Sequence, residues 1–171
     1  ASGKSLIIYF IIRKMIEENK RVLLIVPTTS LVEQMYKDFK DYGWDVDTHV
    51  QRKYYGYDID ENKPVVVSTW QSLATFDKAF FEQFNCVIGD EAHLYKSKEL
   101  QKILGACINA EYRIGTTGTL DDSKVHKLIL EGLFGQVKYV VSTKDLMDKG
   151  QLADLKIECV VLKYPKEECN E

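Results

Sequence analysis

Four short apolar runs, set apart by longer amphipathic stretches, constrain this chain more than any other feature. They are Arg21-Val-Leu-Leu-Ile-Val-Pro27, Pro64-Val-Val-Val-Ser-Thr69, Asn85-Cys-Val-Ile-Gly-Asp90 and Tyr112-Arg-Ile-Gly-Thr116. Each has the length of a strand and the near-continuous apolar character of one buried on both faces. The stretches between them carry helical spacing. Ser5 to Asn19 places apolar residues at 8, 11, 12, 15 and 16. Ser30 to Tyr42 aligns Leu31, Met35 and Phe39, with Ser30 as a candidate N-cap and Glu33 three residues later able to close a capping box. Residues 97–108 and 123–130 read as helices too. Strands alternating with helices predict an α/β fold with a mainly parallel central sheet and helices on both faces.

The remaining segments say less. Residues 47–62 hold Arg52, Lys53 and three tyrosines, and read as a loop or a poor edge strand. Residues 136–142 predict a strand, 143–149 a short helix and 155–162 a last strand. Length and pattern predict one domain over residues 1–163, with 164–171 beginning a linker. At 45% apolar and 29% charged residues, with a net charge of −3, the chain has the means to build a core. That excludes a disordered tail, a collagen-like repeat and a strongly basic arm. The longest apolar run, Leu6 to Ile12, falls far short of the ~20 residues that span a bilayer. Cys86, Cys107, Cys159 and Cys169 lack the C-x-x-C spacing of zinc or redox sites, so free thiols, no zinc and a cytoplasmic setting are expected.

In open parallel sheets, ligands bind beyond the carboxyl ends of the strands. The residues there are Pro27 to Ser30, Ser68 to Gln71, Asp90 to His93 and Thr116 to Thr119. All four sets are rich in polar or acidic residues. The N-terminus reads Ala1-Ser-Gly-Lys-Ser5 and runs straight into an apolar helix. This matches the second half of the phosphate loop G-x-x-x-x-G-K-[ST]. In that loop, backbone amides and the helix N-terminus cradle phosphate, the Lys reaches the β/γ-phosphates and the Ser holds Mg2+. Alone, such a triplet reads as readily as a chance occurrence. The first Gly and its strand would precede residue 1, so the domain is expected to be truncated there.

Asp90-Glu91-Ala92-His93 gives the triplet its meaning. An Asp at a strand end can hold Mg2+ alongside phosphates. The adjacent Glu can orient or deprotonate an attacking water. Two neighbouring acids at a strand end repel each other unless a cation sits between them. The competing reading is a solvated acidic turn that caps the next helix.

With these motifs in order, the chain resembles the first RecA-like domain of a superfamily 2 helicase or translocase. Gly3-Lys4-Ser5 resembles the end of motif I, and Pro27-Thr-Thr-Ser-Leu-Val-Glu-Gln34 resembles motif Ia. Ser68-Thr-Trp-Gln-Ser-Leu73 resembles motif Ib, Asp90 to His93 motif II and Thr117-Gly-Thr119 motif III. From Pro64 onward, including Gly132-Leu-Phe-Gly135 and Leu152-Ala-Asp-Leu-Lys156, the likeness is to phage recombination helicases. The resemblance implies that Ser2, Gly3, Lys4 and Ser5 bind ATP, with Ser5 and Asp90 on Mg2+. It implies Glu91, with Asp90, as the catalytic pair. His93, Thr117, Gly118 and Thr119 would couple hydrolysis to domain movement. Thr28, Thr29, Thr69 and Gln71 would meet the nucleic-acid backbone, DNA by preference, with branched DNA or an RNA–DNA hybrid as candidates.

Alternatives stay open at this point. Thr28 and Ser30 read equally as helix caps. Trp70 reads as core or as a base-stacking platform. Leu120 replaces a Pro common in the family, and a Gly-Gly pair between motifs Ia and Ib has only Tyr55-Gly56 as its nearest counterpart. No third of the chain is basic, so much nucleic-acid affinity would come from elsewhere in a longer protein. By resemblance, a second RecA-like domain supplies an arginine finger. The competing functions are the motor of a restriction-system translocase and a non-hydrolysing RecA-like nucleotide-binding or interaction module.

Overall fold

The computed structural model describes residues 3–54, 63–118, 124–138 and 143–150. By contacts the chain divides into two units, Ala1–Lys138 and Tyr139–Glu171. In the second unit the described element is one short helix, Thr143–Asp148. The first unit holds a parallel five-stranded sheet. Its strands are β1 (Val22–Val26), β2 (Val50–Lys53), β3 (Val65–Thr69), β4 (Cys86–Asp90) and β5 (Tyr112–Thr116), in the spatial order β2-β3-β1-β4-β5.

β1, β3 and β4 are buried at every position, as their apolar runs predict. Burying a Val, Leu or Ile side chain stabilises by about 1.5–3 kcal/mol, so these three strands anchor the sheet. Helix α1 (Lys4–Glu17) and helix α2 (Thr29–Asp41) cover one face. There Ile8, Ile12, Val32, Met35 and Phe39 pack on Leu24, Val26 and Ile88. In chain order the further helices are α3 (Val46–His49), α4 (Trp70–Leu73), α5 (Lys78–Glu82), α6 (Lys98–Ala106) and α7 (Lys124–Phe134), and the Thr143–Asp148 helix is α8. Val46 of α3 joins the first face, whereas the other face holds Leu23, Ile25 and Val87 against α4 to α7 residues such as Leu73, Phe81, Leu104 and Leu130. A 3-10 helix, Ala92–Lys96, follows β4.

Several expectations change. β5 is an edge strand among the described residues, with Tyr112 and Gly115 exposed, so it is not buried on both faces. The cap of α2 is Thr28, not Ser30. Thr28 is the residue with extended backbone, and its Oγ1 accepts a hydrogen bond from the Leu31 amide at 3.3 Å. Glu33 therefore closes no capping box with Ser30, and it pairs with Arg52 instead. Val32 takes the buried place on the α2 stripe, while Leu31 is only partly buried. Residues 47–62 do supply an edge strand, β2, over their first part. Gln136 to Lys138 is not a strand. Residues 139–142, the 155–162 segment, the 164–171 tail, Tyr55, Gly56, Leu120, Cys159 and Cys169 lie outside the described residues. Among those described, no helix is long and apolar enough to cross a membrane.

Candidate functional site: the carboxyl edge of the sheet

Parallel strands end together, so β1, β3, β4 and β5 deliver their following residues to one edge. The register puts Val26 beside Thr69 and Asp90 beside Thr116. Gly3 begins α1 in the left-handed region at φ 70°, a conformation that a residue with a Cβ rarely adopts. The turn aims Lys4 along the edge. Its ammonium hydrogen-bonds Glu91 Oε1 and lies 3.6 Å from Asp90 Oδ1. It thus sits between two neighbouring carboxylates and offsets their repulsion.

Asp90 is 3% exposed, so its charge needs partners. Besides Lys4, its Oδ1 accepts a hydrogen bond from Thr116 Oγ1 at 2.9 Å. Glu91 is held at φ 49°, ψ 54°, a left-handed conformation that is uncommon for a non-glycine residue. Such outliers persist where the surroundings over-determine them. Here Lys4 takes one carboxylate oxygen. The other is 3.5 Å from the donor hydroxyl of Thr117 and 3.3 Å from His93 Nδ1. His93 Nδ1 and Thr117 Oγ1 are themselves 2.9 Å apart. Lys4, Asp90, Glu91, His93 and Thr117 therefore come together, linked across three elements. Thr116 belongs with them; its place beyond a strand end is legible in the sequence, but its pairing with Asp90 depends on strand register, which cannot be read from a single strand.

The other expected residues are placed differently. Ser5 Oγ lies 2.9 Å from Tyr42 Oη, at the C-terminal end of α2. Gly118 is exposed beyond β5, and Ser2 and Thr119 lie outside the described residues. Thr28 caps α2. Thr69, 4% exposed, caps α4, with its Oγ1 accepting from the Ser72 amide at 3.4 Å and 3.0 Å from Ser72 Oγ. Thr29, Ser30 and Gln71 are exposed beside these caps. Trp70 is half-buried against the second core face, which favours the core reading.

A small cleft of about 10 Å³ lies at this edge, lined by Pro27, Trp70, Asp90 and Tyr95 among others. The Tyr95 phenol is pushed upward in pKa by burial and by the Asp90 charge, so it stays neutral. All four arginines are engaged within the unit. Arg13 lies against Tyr9 and Trp44, and Arg21 over Phe84. Arg113 donates to the Cys107 carbonyl. Arg52, in β2, pairs with Glu33 and stacks on Tyr36. Cys86 and Cys107 are free and buried; burial pushes their thiols up to about 12 and about 11.

Residues 2–122 match the family described as "Type III restriction enzyme, res subunit". The chain is 36% identical to the ATP-dependent DNA helicase UvsW of Enterobacteria phage T4 over 98% of its own length and 34% of that protein's. It therefore spans about a third of the relative it matches. A crystal structure of T4 UvsW superimposes with a TM-score of 0.71 at 32% identity, covering 81% of this chain and 29% of that one. The Hef helicase domain of Pyrococcus furiosus shares the fold, with a TM-score of 0.69 at 19% identity over 85% of this chain and 35% of that one. The chain belongs to the type III restriction enzyme res-subunit family, and its fold is that of the first RecA-like domain of a superfamily 2 helicase.

Proposed function

We propose that this chain is the ATP-hydrolysing half of a DNA helicase or translocase motor, of the kind that remodels recombination, repair or replication-fork intermediates. The observation that carries the reading is the Lys4 ammonium between Asp90 and Glu91, tied through Glu91 to His93 and Thr117. The likeness to a protein named as an ATP-dependent DNA helicase favours DNA as the substrate. A full-length protein would carry the second RecA-like domain.

The residues fit ATP and Mg2+. Carboxylate and hydroxyl oxygens from Asp90 and Ser5 are the hard donors that Mg2+ prefers. The Lys4 ammonium beside Asp90 and Glu91 supports a cation-binding role for these two carboxylates. Bound MgATP supplies the phosphoryl group to be transferred and neutralises part of its charge. Gly3, Lys4 and Ser5 at the N-terminus of α1, with Ser2 preceding them in sequence, would hold phosphate oxygens. Lys4 would leave Glu91 to do so, which would free a carboxylate oxygen. Glu91 then orients a water and takes its proton. His93 and Thr117 report the state of Glu91 to motif III, with Gly118 and Thr119 next in the chain. Thr28, Thr29 and Gln71, exposed at the same edge, face the DNA backbone, while the buried Thr69 supports them as the cap of α4. The domain lies in the cytoplasm, that of the host if the gene is a phage's.

The test is ATP turnover by the full-length protein with and without branched DNA. DNA-stimulated hydrolysis, lost in the fragment 1–171, supports the reading. An arginine finger contributes roughly 10³ to 10⁵ in rate, and every arginine here is engaged elsewhere. A full-length protein that turns over no ATP, with or without DNA, contradicts it.

A further inference from the structure

Gly89 and Gly115 are register partners on β4 and β5. Neither has a positive φ, so backbone conformation does not require glycine at either place. Space does. A Cβ on Gly89 would lie 2.6 Å from Cζ and Oη of Tyr95. A Cβ on Gly115 would lie 2.9 Å from Cδ2 of Phe134 and 3.0 Å from Cβ of Ala92. Two aromatic rings therefore rest directly on the backbone of two paired strands. The rings meet edge-on, with centroids 5.0 Å apart and planes at 77°.

The position of this pad gives it a role. Gly89 immediately precedes Asp90 and Glu91. Gly115 immediately precedes Thr116 and Thr117. Tyr95 comes from the 3-10 helix that begins beside His93, and Phe134 from the C-terminal end of α7. The pad thus joins the ends of β4 and β5 to two separate helices. Among the described residues β5 is an edge strand with a half-exposed pattern, so its own burial holds it weakly. The buried Tyr95 hydroxyl has no hydrogen-bond partner among the described residues, so the ring carries the contact. Rings seat on glycines at this distance only while the strand ends keep their observed spacing.

We infer that Tyr95 and Phe134 are positioning residues, which hold Asp90 and Glu91 in register with Thr116 and Thr117 by clamping the Gly89–Gly115 pair. The inference rests on the proposed ATPase reading, and the experiment separates the two. Full-length protein is compared with Phe134→Leu, Tyr95→Leu and Tyr95→Phe. Leu104→Val, in the same core face, is the control for lost packing alone. Two quantities are read: kcat and KM for DNA-stimulated ATP turnover, and hydrogen exchange of residues 89–93 and 114–118 without nucleotide.

Misplacement by about 1 Å can cost about 10²-fold in rate, so the two leucine variants should lose about 10- to 100-fold in kcat at unchanged KM. Both peptides should exchange faster in them. Tyr95→Phe restores the ring, and with it kcat and protection. Leu104→Val should change neither reading. Parent kcat in Phe134→Leu, or an equal loss in Leu104→Val, overturns the inference. Phe134 is only partly buried, so its variant keeps the test open if Tyr95→Leu does not fold. If the parent turns over no ATP, the ATPase reading fails and exchange decides alone. Faster exchange confined to the ring variants supports the clamp, and equal exchange in all variants refutes it.

Discussion

The two halves of the carboxyl edge use the same kinds of residue in opposite ways. Beyond β4 and β5, polar side chains bond to distant parts of the chain: Lys4 to Glu91, Thr116 to Asp90, His93 to Thr117. Beyond β1 and β3, the hydroxyls of Thr28 and Thr69 bond three residues ahead and cap their own helices. A distant bond exists only when the sheet is assembled, so the first half is built by the fold. A local bond can form with its helix, so the second half is built by sequence neighbours. Charge follows the same division: the β4–β5 half carries the ion pairs, and the β1–β3 half presents exposed hydroxyls and an amide.

Substitutions can break or sharpen that contrast. The largest effect is expected for Lys4→Ala in the full-length protein. Removing one preorganised charge or donor typically costs about 10² to 10³ in rate, and here nucleotide affinity should fall with it. Turnover and ATP binding near parent values would remove Lys4 from the site.

Gly89→Ala should come next. Overpacking a filled site costs about 1–3 kcal/mol, and here the added methyl meets the Tyr95 ring. Denaturant midpoints should drop, and a parent midpoint would mean that the ring moves freely. On the other half of the edge, Thr28→Ala and Thr69→Ala should each cost about 0.5–2 kcal/mol through the lost cap, with Thr28→Ser close to the parent. DNA affinity read on the same variants sharpens the contrast. A loss of affinity with no loss of stability would assign these hydroxyls to DNA rather than to their helices.

The smallest effect concerns the flank of α2. Tyr36 donates to Asp47 at 2.5 Å, and burial, then that bond, pushes its pKa up to about 12. An unfolded Tyr ionises near 10. The folded state therefore binds the proton more tightly, and its stabilisation is complete below about pH 10 and lost as pH rises through about 12. Tyr36→Phe should flatten that part of a stability–pH curve, and an unchanged slope would show that Tyr36 is not its source.

How much of this was legible in the sequence follows from the same division. β1, β3 and β4 are readable because burial on both faces writes an unbroken apolar run. β5 carries a similar run but is an edge among the described residues, and a single strand does not record how many neighbours it has. β2 was ambiguous because Val50-Gln-Arg-Lys53 alternates weakly and, among the described residues, pairs on one side only. The capping residue of α2 stays open in the sequence because Thr28 and Ser30 are both good caps and backbone geometry decides between them. Lys4, Asp90 and Glu91 were legible because their spacing to a strand end or helix start is local. The Thr116–Asp90 bond, the Arg52–Glu33 pair and the rings over Gly89 and Gly115 were not, since each depends on which strands and helices become neighbours.

The central claim is that the β4–β5 half of the edge performs hydrolysis with Glu91 as its base. Glu91→Gln in the full-length protein tests it most directly, because the amide keeps the shape but cannot accept the proton. The expected result is ATP binding like the parent's with turnover lowered about 10²- to 10⁴-fold. Hydrolysis at the parent rate would contradict the account.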